Sequence, residues 1–206
     1  EDDKLPVMVW MHGGGYYGAC ANESFSNGLG LPSKGVVVVT VNMRLGPLGC
    51  LAHPLLSRES PQGVSGNYLF LDMVAALKWV QKNISAFGGN PDNVTIFGAS
   101  GGCNKVVNLM ASPLAKGIFH RVIGESGGGR GTPLKEMEDR GEKIFGKLGV
   151  DKEQNPLAAA RALSWKKIIE AGMAVTAELK IPSLWDSAVD GWFLTDTPAN
   201  AFKEGK

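Results

Sequence analysis

Over the first 130 residues, short apolar runs alternate with stretches of helical periodicity, the pattern of an α/β protein with a largely parallel sheet. Val7-Met8-Val9-Trp10-Met11 ends at a glycine cluster and predicts a buried strand. Val36 to Val41 is β-branched almost throughout and predicts a second strand, covered on both faces. Phe70, Val74, Leu77, Val80 and Ile84 recur at helical spacing, so a helix is expected over Leu69 to Ile84. The stretch Phe87-Gly88-Gly89-Asn90-Pro91-Asp92 stops it, with glycine for a left-handed cap and proline to prevent continuation. A third strand, Val94 to Phe97, runs into a short helix over Gly101 to Met110, and Arg121 to Gly124 reads as a fourth strand. Gly127 to Gly131 then reads as a loose loop.

Beyond that loop the character changes. Leu134 to Leu148, Pro156 to Leu163 and Trp165 to Gly172 predict short amphipathic helices rich in Lys, Glu and Ala. Pro182 to Phe193 is mixed, and Thr197 to Phe202 predicts a last helical turn or two. The expected organisation is one partial domain over residues 1–206, with a sheet core in 1–130 and a helical region in 131–206.

Composition narrows the function classes. The chain has 206 residues, enough for one domain with a real core and too few for two comfortable ones. Its formal net charge is +1 and its Lys and Arg residues are scattered, so no field draws nucleic acid or an acidic membrane. No apolar run is long enough to cross a bilayer, and Glu1-Asp2-Asp3-Lys4 has no signal-peptide character. The expectation is a soluble protein, with cytoplasmic and secreted locations both open. Cys20, Cys50 and Cys103 have no ligand spacing and the three histidines are dispersed, so free thiols are expected and no metal site.

Two motifs carry chemistry. Gly98-Ala99-Ser100-Gly101-Gly102 is a G-x-S-x-G between a predicted strand and a predicted helix, the context of a nucleophile elbow. There a strained backbone thrusts the serine hydroxyl out of the turn, and the helix N-terminus lends partial positive charge to a forming oxyanion. His12-Gly13-Gly14-Gly15 directly follows the first strand, and such a loop presents unobstructed backbone N–H groups. Either motif alone could be an ordinary turn; both in this order, about eighty-five residues apart, point to one machine. A second G-x-S-x-G, Gly124 to Gly128, follows the fourth strand but runs into glycines rather than a helix, which favours Ser100 over Ser126 as nucleophile.

These stretches resemble the type-B carboxylesterases, the carboxylesterase and cholinesterase-like branch of the α/β-hydrolases. The residues that carry the resemblance are Phe87-Gly88-Gly89, Val94-Thr95-Ile96-Phe97 and the Ser100 elbow, with Pro6 to Trp10 and the glycine loop. Val41 to Gly49, Gly66-Asn67-Tyr68, Pro113 to Arg121 and Val189-Asp190-Gly191 match as well. His53-Pro54 and Glu59-Ser60-Pro61 are similar in style to bacterial members. The resemblance implies an α/β-hydrolase fold, a mostly parallel central sheet with helices on both faces, incomplete in this chain. It implies Ser100 as nucleophile and the backbone N–H groups of Gly14, Gly15 and Gly101 as oxyanion hole. It also implies a small-molecule ester substrate, no cofactor, a buried structural Arg44–Asp72 ion pair, and an acyl pocket near Ile181 to Trp185.

The departures are as informative. Ala99 stands where the family usually has an acid. The one histidine downstream of Ser100, His120, precedes any plausible acid and matches a non-catalytic position. Asp186 and Asp190 precede no histidine, and Asp190-Gly191 reads as a turn. The triad acid and histidine are therefore expected from missing sequence or from another chain. Residues 1–206 alone are expected to be inactive and not to fold stably. The alternative reading is a non-catalytic cholinesterase-like binding or adhesion domain.

Overall fold

The computed structural model describes residues 4–22 and 30–205. Four parallel strands form the central sheet: β1 (Leu5–Met11), β2 (Val37–Val41), β3 (Gly89–Ala99) and β4 (Arg121–Glu125), in the order β2-β1-β3-β4. Period-two alternation sets the faces. Val7 and Val9 of β1 pair with Val94 and Ile96 of β3, and all four are fully buried with Met11. The opposite face of the same pair carries Trp10 and Phe97, ring centroids 4.9 Å apart and only half-buried.

Helices surround the sheet. Of these, α1 (Pro47–Cys50), α2 (Pro54–Glu59) and α3 (Tyr68–Asn83) follow β2, and α4 (Gly101–Met110) follows β3. The stripe Leu69, Phe70, Met73, Val74, Leu77 and Val80 puts one side of α3 into the main core, where Val106 and Leu109 of α4 join it. The first two helices carry no long apolar period and were not legible in advance. The His53 ring caps α2, its Nδ1 accepting from the Leu55 N–H at 3.0 Å. Burial lowers the pKa of that imidazole, which suits a neutral acceptor. The stop after α3 is a 3₁₀ turn, Ile84–Phe87, closed by Gly88 in the left-handed region at φ 76°.

β2 departs from expectation. It pairs with β1 alone among the described residues, and only Val41 is buried, with Val37 to Val39 half-buried and Thr40 exposed, so neither face is fully covered here. β4 pairs with β3 alone among the described residues, and its Ile123 is 44% exposed. The Arg44–Asp72 pair also departs. It forms, with Nη2 to Oδ1 at 2.7 Å and Nε to Oδ2 at 2.9 Å, but the side chains are 52% and 26% exposed rather than buried. Asp72 lies on the outer flank of α3, one turn on from Tyr68, whose ring Arg44 covers at 5.3 Å. The pair thus ties the turn after β2 to the outside of a helix.

After β4 come a short strand β5 (Thr132–Pro133) and helices α5 (Leu134–Leu148), α6 (Pro156–Ala162) and α7 (Trp165–Leu179). A second short strand, β6 (Ala188–Val189), pairs with β5, and α8 (Pro198–Lys203) closes the described chain. The mixed stretch 182–193 therefore supplies half of a second, two-stranded sheet. α7 runs two turns past Gly172, where the sequence suggested a stop. That glycine makes room instead: a Cβ there would sit 2.6 Å from the Trp185 indole.

Candidate active site

The end of β3 and the start of α4 form a turn so tight that its glycines are dictated by neighbours. A Cβ on Gly98 would fall 2.6 Å from the Gly102 carbonyl carbon, and one on Gly102 would fall 2.1 Å from the Met11 oxygen. Between them Ser100 has φ 55° and ψ −120°, a strained conformation for a side chain bearing a Cβ. It is held there by its own N–H, which donates to the Glu125 carbonyl at 2.8 Å, and by its carbonyl, which accepts from Asn104 N–H at 3.2 Å. Ser100 is also the N-cap of α4, so its hydroxyl lies at the positive end of that helix.

The glycine loop after β1 meets this turn from the other side. Gly14 and Gly15 have φ 72° and 62°, and Gly14 closes a turn by accepting from Gly18 N–H at 3.0 Å. A Cβ on Gly101 would lie 2.4 Å from Gly15 N, so the two backbones pack directly on each other. Four residues named from sequence, Ser100, Gly14, Gly15 and Gly101, thus converge on one place. Ser100, Gly15 and Gly101 line an open cleft of about 460 Å³, together with Tyr17, Ser126 and Trp185.

Ser126 faces the same cleft and also has a left-handed backbone, φ 57°. No helix follows it, so no helix N-terminus stands behind its hydroxyl. The loop after it, expected to be loose, is pinned by α4. Asn104 Oδ1 accepts from Gly128 N–H at 2.9 Å, and one turn later Asn108 Oδ1 accepts from Arg130 N–H at 3.1 Å.

None of the three histidines lines the cleft. His120 bonds Val94, donating from its N–H at 2.8 Å and accepting at Nδ1 at 3.1 Å. Val94 is six strand residues before Ser100, about 20 Å away at the usual rise, so His120 cannot reach the serine. Asp190 is a turn organiser, its Oδ1 accepting from the N–H groups of Trp192, Phe193 and Leu194. Asp186 accepts from Thr132 Oγ1 at 2.9 Å and from its neighbour's N–H.

Beside the cleft lies an apolar hollow of about 650 Å³, lined by Leu45, Ile169, Met173, Ile181 and Leu184. Tyr17, Pro182, Ser183 and Trp185 line both cavities, so the segment matched to an acyl pocket separates the hollow from the serine.

One residue that sequence reasoning passed over is Lys105. Its side chain is fully buried in α4, and Nζ donates to the His12 carbonyl at 2.8 Å and the Gly13 carbonyl at 3.3 Å. Burial lowers the ammonium pKa from 10.5 to about 8, with a smaller opposing contribution from the Cys50 thiol. Keeping it charged there at neutral pH costs on the order of 3 kcal/mol. Because the folded value is depressed, an unfolded lysine holds the extra proton between about 8 and 10.5, and stability from this group rises with pH across that window. The signal was present in the sequence: Lys105 sits four residues after Gly101 and four before Leu109, a charge on the buried stripe of its helix.

The family model described as Carboxylesterase family matches residues 1–206. The chain belongs to the carboxylesterase family. It is 42% identical over 201 residues to the fumonisin B1 esterase of Sphingopyxis macrogoltabida and 39% identical over 206 residues to the para-nitrobenzyl esterase of Bacillus subtilis (strain 168). These alignments cover 98% of this chain in both cases, but 36% and 41% of the relatives. Among solved structures, a thermophilic pNB esterase superposes with a TM-score of 0.88 at 36% identity, covering 98% of this chain and 42% of that one. A Geobacillus stearothermophilus carboxylesterase gives 0.86 at 32%, covering 100% and 42%. The chain thus has the α/β-hydrolase fold and spans about two fifths of the length of these relatives. No helix among its described residues is long and apolar enough to cross a membrane.

Proposed function

We propose that the complete protein carrying these residues hydrolyses small carboxylic esters through an acyl-serine intermediate. The observation that carries this reading is Ser100 itself: a strained residue at a strand-to-helix turn, with the backbone of the Gly14-Gly15 loop packed on Gly101 beside it. Ser100 Oγ bonds to the ester carbonyl carbon, and the N–H groups of Gly14, Gly15 and Gly101 hold the resulting oxyanion. Collapse breaks the ester C–O bond and the alcohol leaves with a proton. Water then attacks the acyl-serine and releases the carboxylic acid. The base that carries the proton, and the acid that orients it, come from outside the described residues, since no histidine here lines the cleft. The apolar hollow beyond Trp185 would take an acyl or alcohol chain. Family membership and relatives named as esterases support the same reading.

A fluorophosphonate probe tests it. The complete, folded protein is labelled, digested and mapped by mass spectrometry. The expected adduct is on Ser100, and it is absent from S100A and retained in S126A. An adduct on Ser126 would move the nucleophile, and a folded protein that takes up no probe would favour a binding domain.

A further inference from the structure

A buried lysine beside a serine site needs a reason, because a charge placed in a core costs stability unless something there uses it. The contacts of Lys105 supply one. Its ammonium donates to two consecutive carbonyls of the glycine loop, those of His12 and Gly13. A peptide unit is planar and trans, so its C=O and the next residue's N–H point in opposite directions. Holding the Gly13 carbonyl from behind therefore aims the Gly14 N–H away from the lysine. Holding the His12 carbonyl does the same for Gly13 N–H. Gly14 itself does not keep that plane, since glycine at φ 72° has wide conformational freedom, and besides the lysine the Gly13 carbonyl meets only the ring of the adjacent His12, Nδ1 at 3.1 Å, among the bonds the structure records for it. A charge-assisted bond also polarises the peptide and makes its N–H a stronger donor.

We propose that Lys105 is a positioning residue for the oxyanion hole, fixing and polarising the peptide plane that presents the Gly14 N–H. The proposal rests on the functional reading above. Its location agrees with the role. Lys105 is on the same short helix as the nucleophile, so one rigid element carries both the attacking serine and the clamp on the oxyanion loop. The neighbouring Gly102 lets that helix approach β1 closely, since a Cβ there would lie 3.2 Å from the His12 oxygen. A neutral side chain of equal length would fill the same space without this hold.

The experiment uses the complete protein, with K105M as near-isosteric variant and K105Q as a second, alongside S100A. Kinetics on a short-chain ester are combined with inhibition by a trifluoromethyl ketone, which adds to the serine and places an oxyanion in the hole. K105M is expected to lower kcat by about tenfold to a hundredfold with KM little changed, less than loss of a whole donor. Its trifluoromethyl ketone Ki rises by a comparable factor, and its melting temperature at neutral pH is at or above that of the parent. K105Q, which keeps one donor, falls between the two. Parent-like kcat and Ki in K105M overturn the proposal, as does a loss of kcat with Ki unchanged. Failure of both variants to fold assigns the lysine to stability alone and also overturns it. S100A keeps the two ideas apart: if it hydrolyses ester as fast as the parent, the Ser100 mechanism has failed. If it is inactive and K105M is normal, only the role of Lys105 has failed.

Discussion

Replacing Ser100 with alanine is expected to lower kcat by about 10⁴- to 10⁶-fold in the complete protein, as loss of the nucleophile does in serine hydrolases. The size follows from where the chemistry is concentrated. In the proposed mechanism the N–H groups around the turn still hold a substrate carbonyl, but no covalent intermediate forms without the hydroxyl. Water attacking in its place would have only the oxyanion hole and binding to help it. KM should change little and the fold should be retained or slightly stabilised, because alanine still has to adopt φ 55° but loses no buried hydrogen bond of the serine hydroxyl that the structure records. S126A is the natural comparison. Ser126 shares the cleft and the left-handed backbone, but the chain after it is not a helix, and a loss within about tenfold is expected. Steady-state kinetics on a chromogenic ester measure both.

The second large effect is on folding. G102A places a methyl group 2.1 Å from the Met11 carbonyl oxygen, well inside contact distance, with the His12 carbonyl next to it. Neither obstacle can swing aside, since both are backbone at the end of the central strand. α4 must then move off β1, taking with it Ser100 and the Lys105 contacts to the glycine loop. Overpacking typically costs about 1–3 kcal/mol, and a clash against fixed backbone belongs at the upper end, a large share of an ordinary domain's margin of about 5–15 kcal/mol. The expected result in the complete protein is a clearly lowered melting temperature with activity lost in parallel. G146A calibrates the reading: Gly146 lies in α5 with nothing near its Cβ position, so alanine there should stabilise by about 0.5–1 kcal/mol. Thermal melts of the two variants should move in opposite directions.

What could be read ahead of the structure was whatever is encoded locally. The strands β1, β3 and β4 announce themselves by apolar runs against glycine, and α3 by the helical spacing of Phe70, Val74, Leu77 and Val80. The elbow and the glycine loop were legible because their glycines are required by the chain's own close approaches, Gly98 to Gly102 and Gly101 to Gly15. What was missed depends on partners distant in sequence. Gly172 looks like a helix end until Trp185 is seen lying over it. Gly127 to Gly131 look loose until Asn104 and Asn108 reach across from α4. β2 has the composition of a strand covered on both faces, yet how far Val37 to Val39 are covered is decided by elements distant in sequence. Arg44 and Asp72 could be matched, but their exposure depends on which flank of α3 faces outward. Lys105 falls between these cases: its buried position was readable from periodicity, its target carbonyls were not.

The acyl-serine proposal is tested most directly by the mass of the complete protein while it is exposed to an ester. The complete protein is mixed with a slowly deacylating ester, quenched in acid within the first turnovers, digested and analysed by mass spectrometry. A mass increase equal to the acyl group, carried by the peptide containing Ser100, is the predicted result. Steady ester hydrolysis with no acylated peptide, or with the acyl group on Ser126, would contradict it.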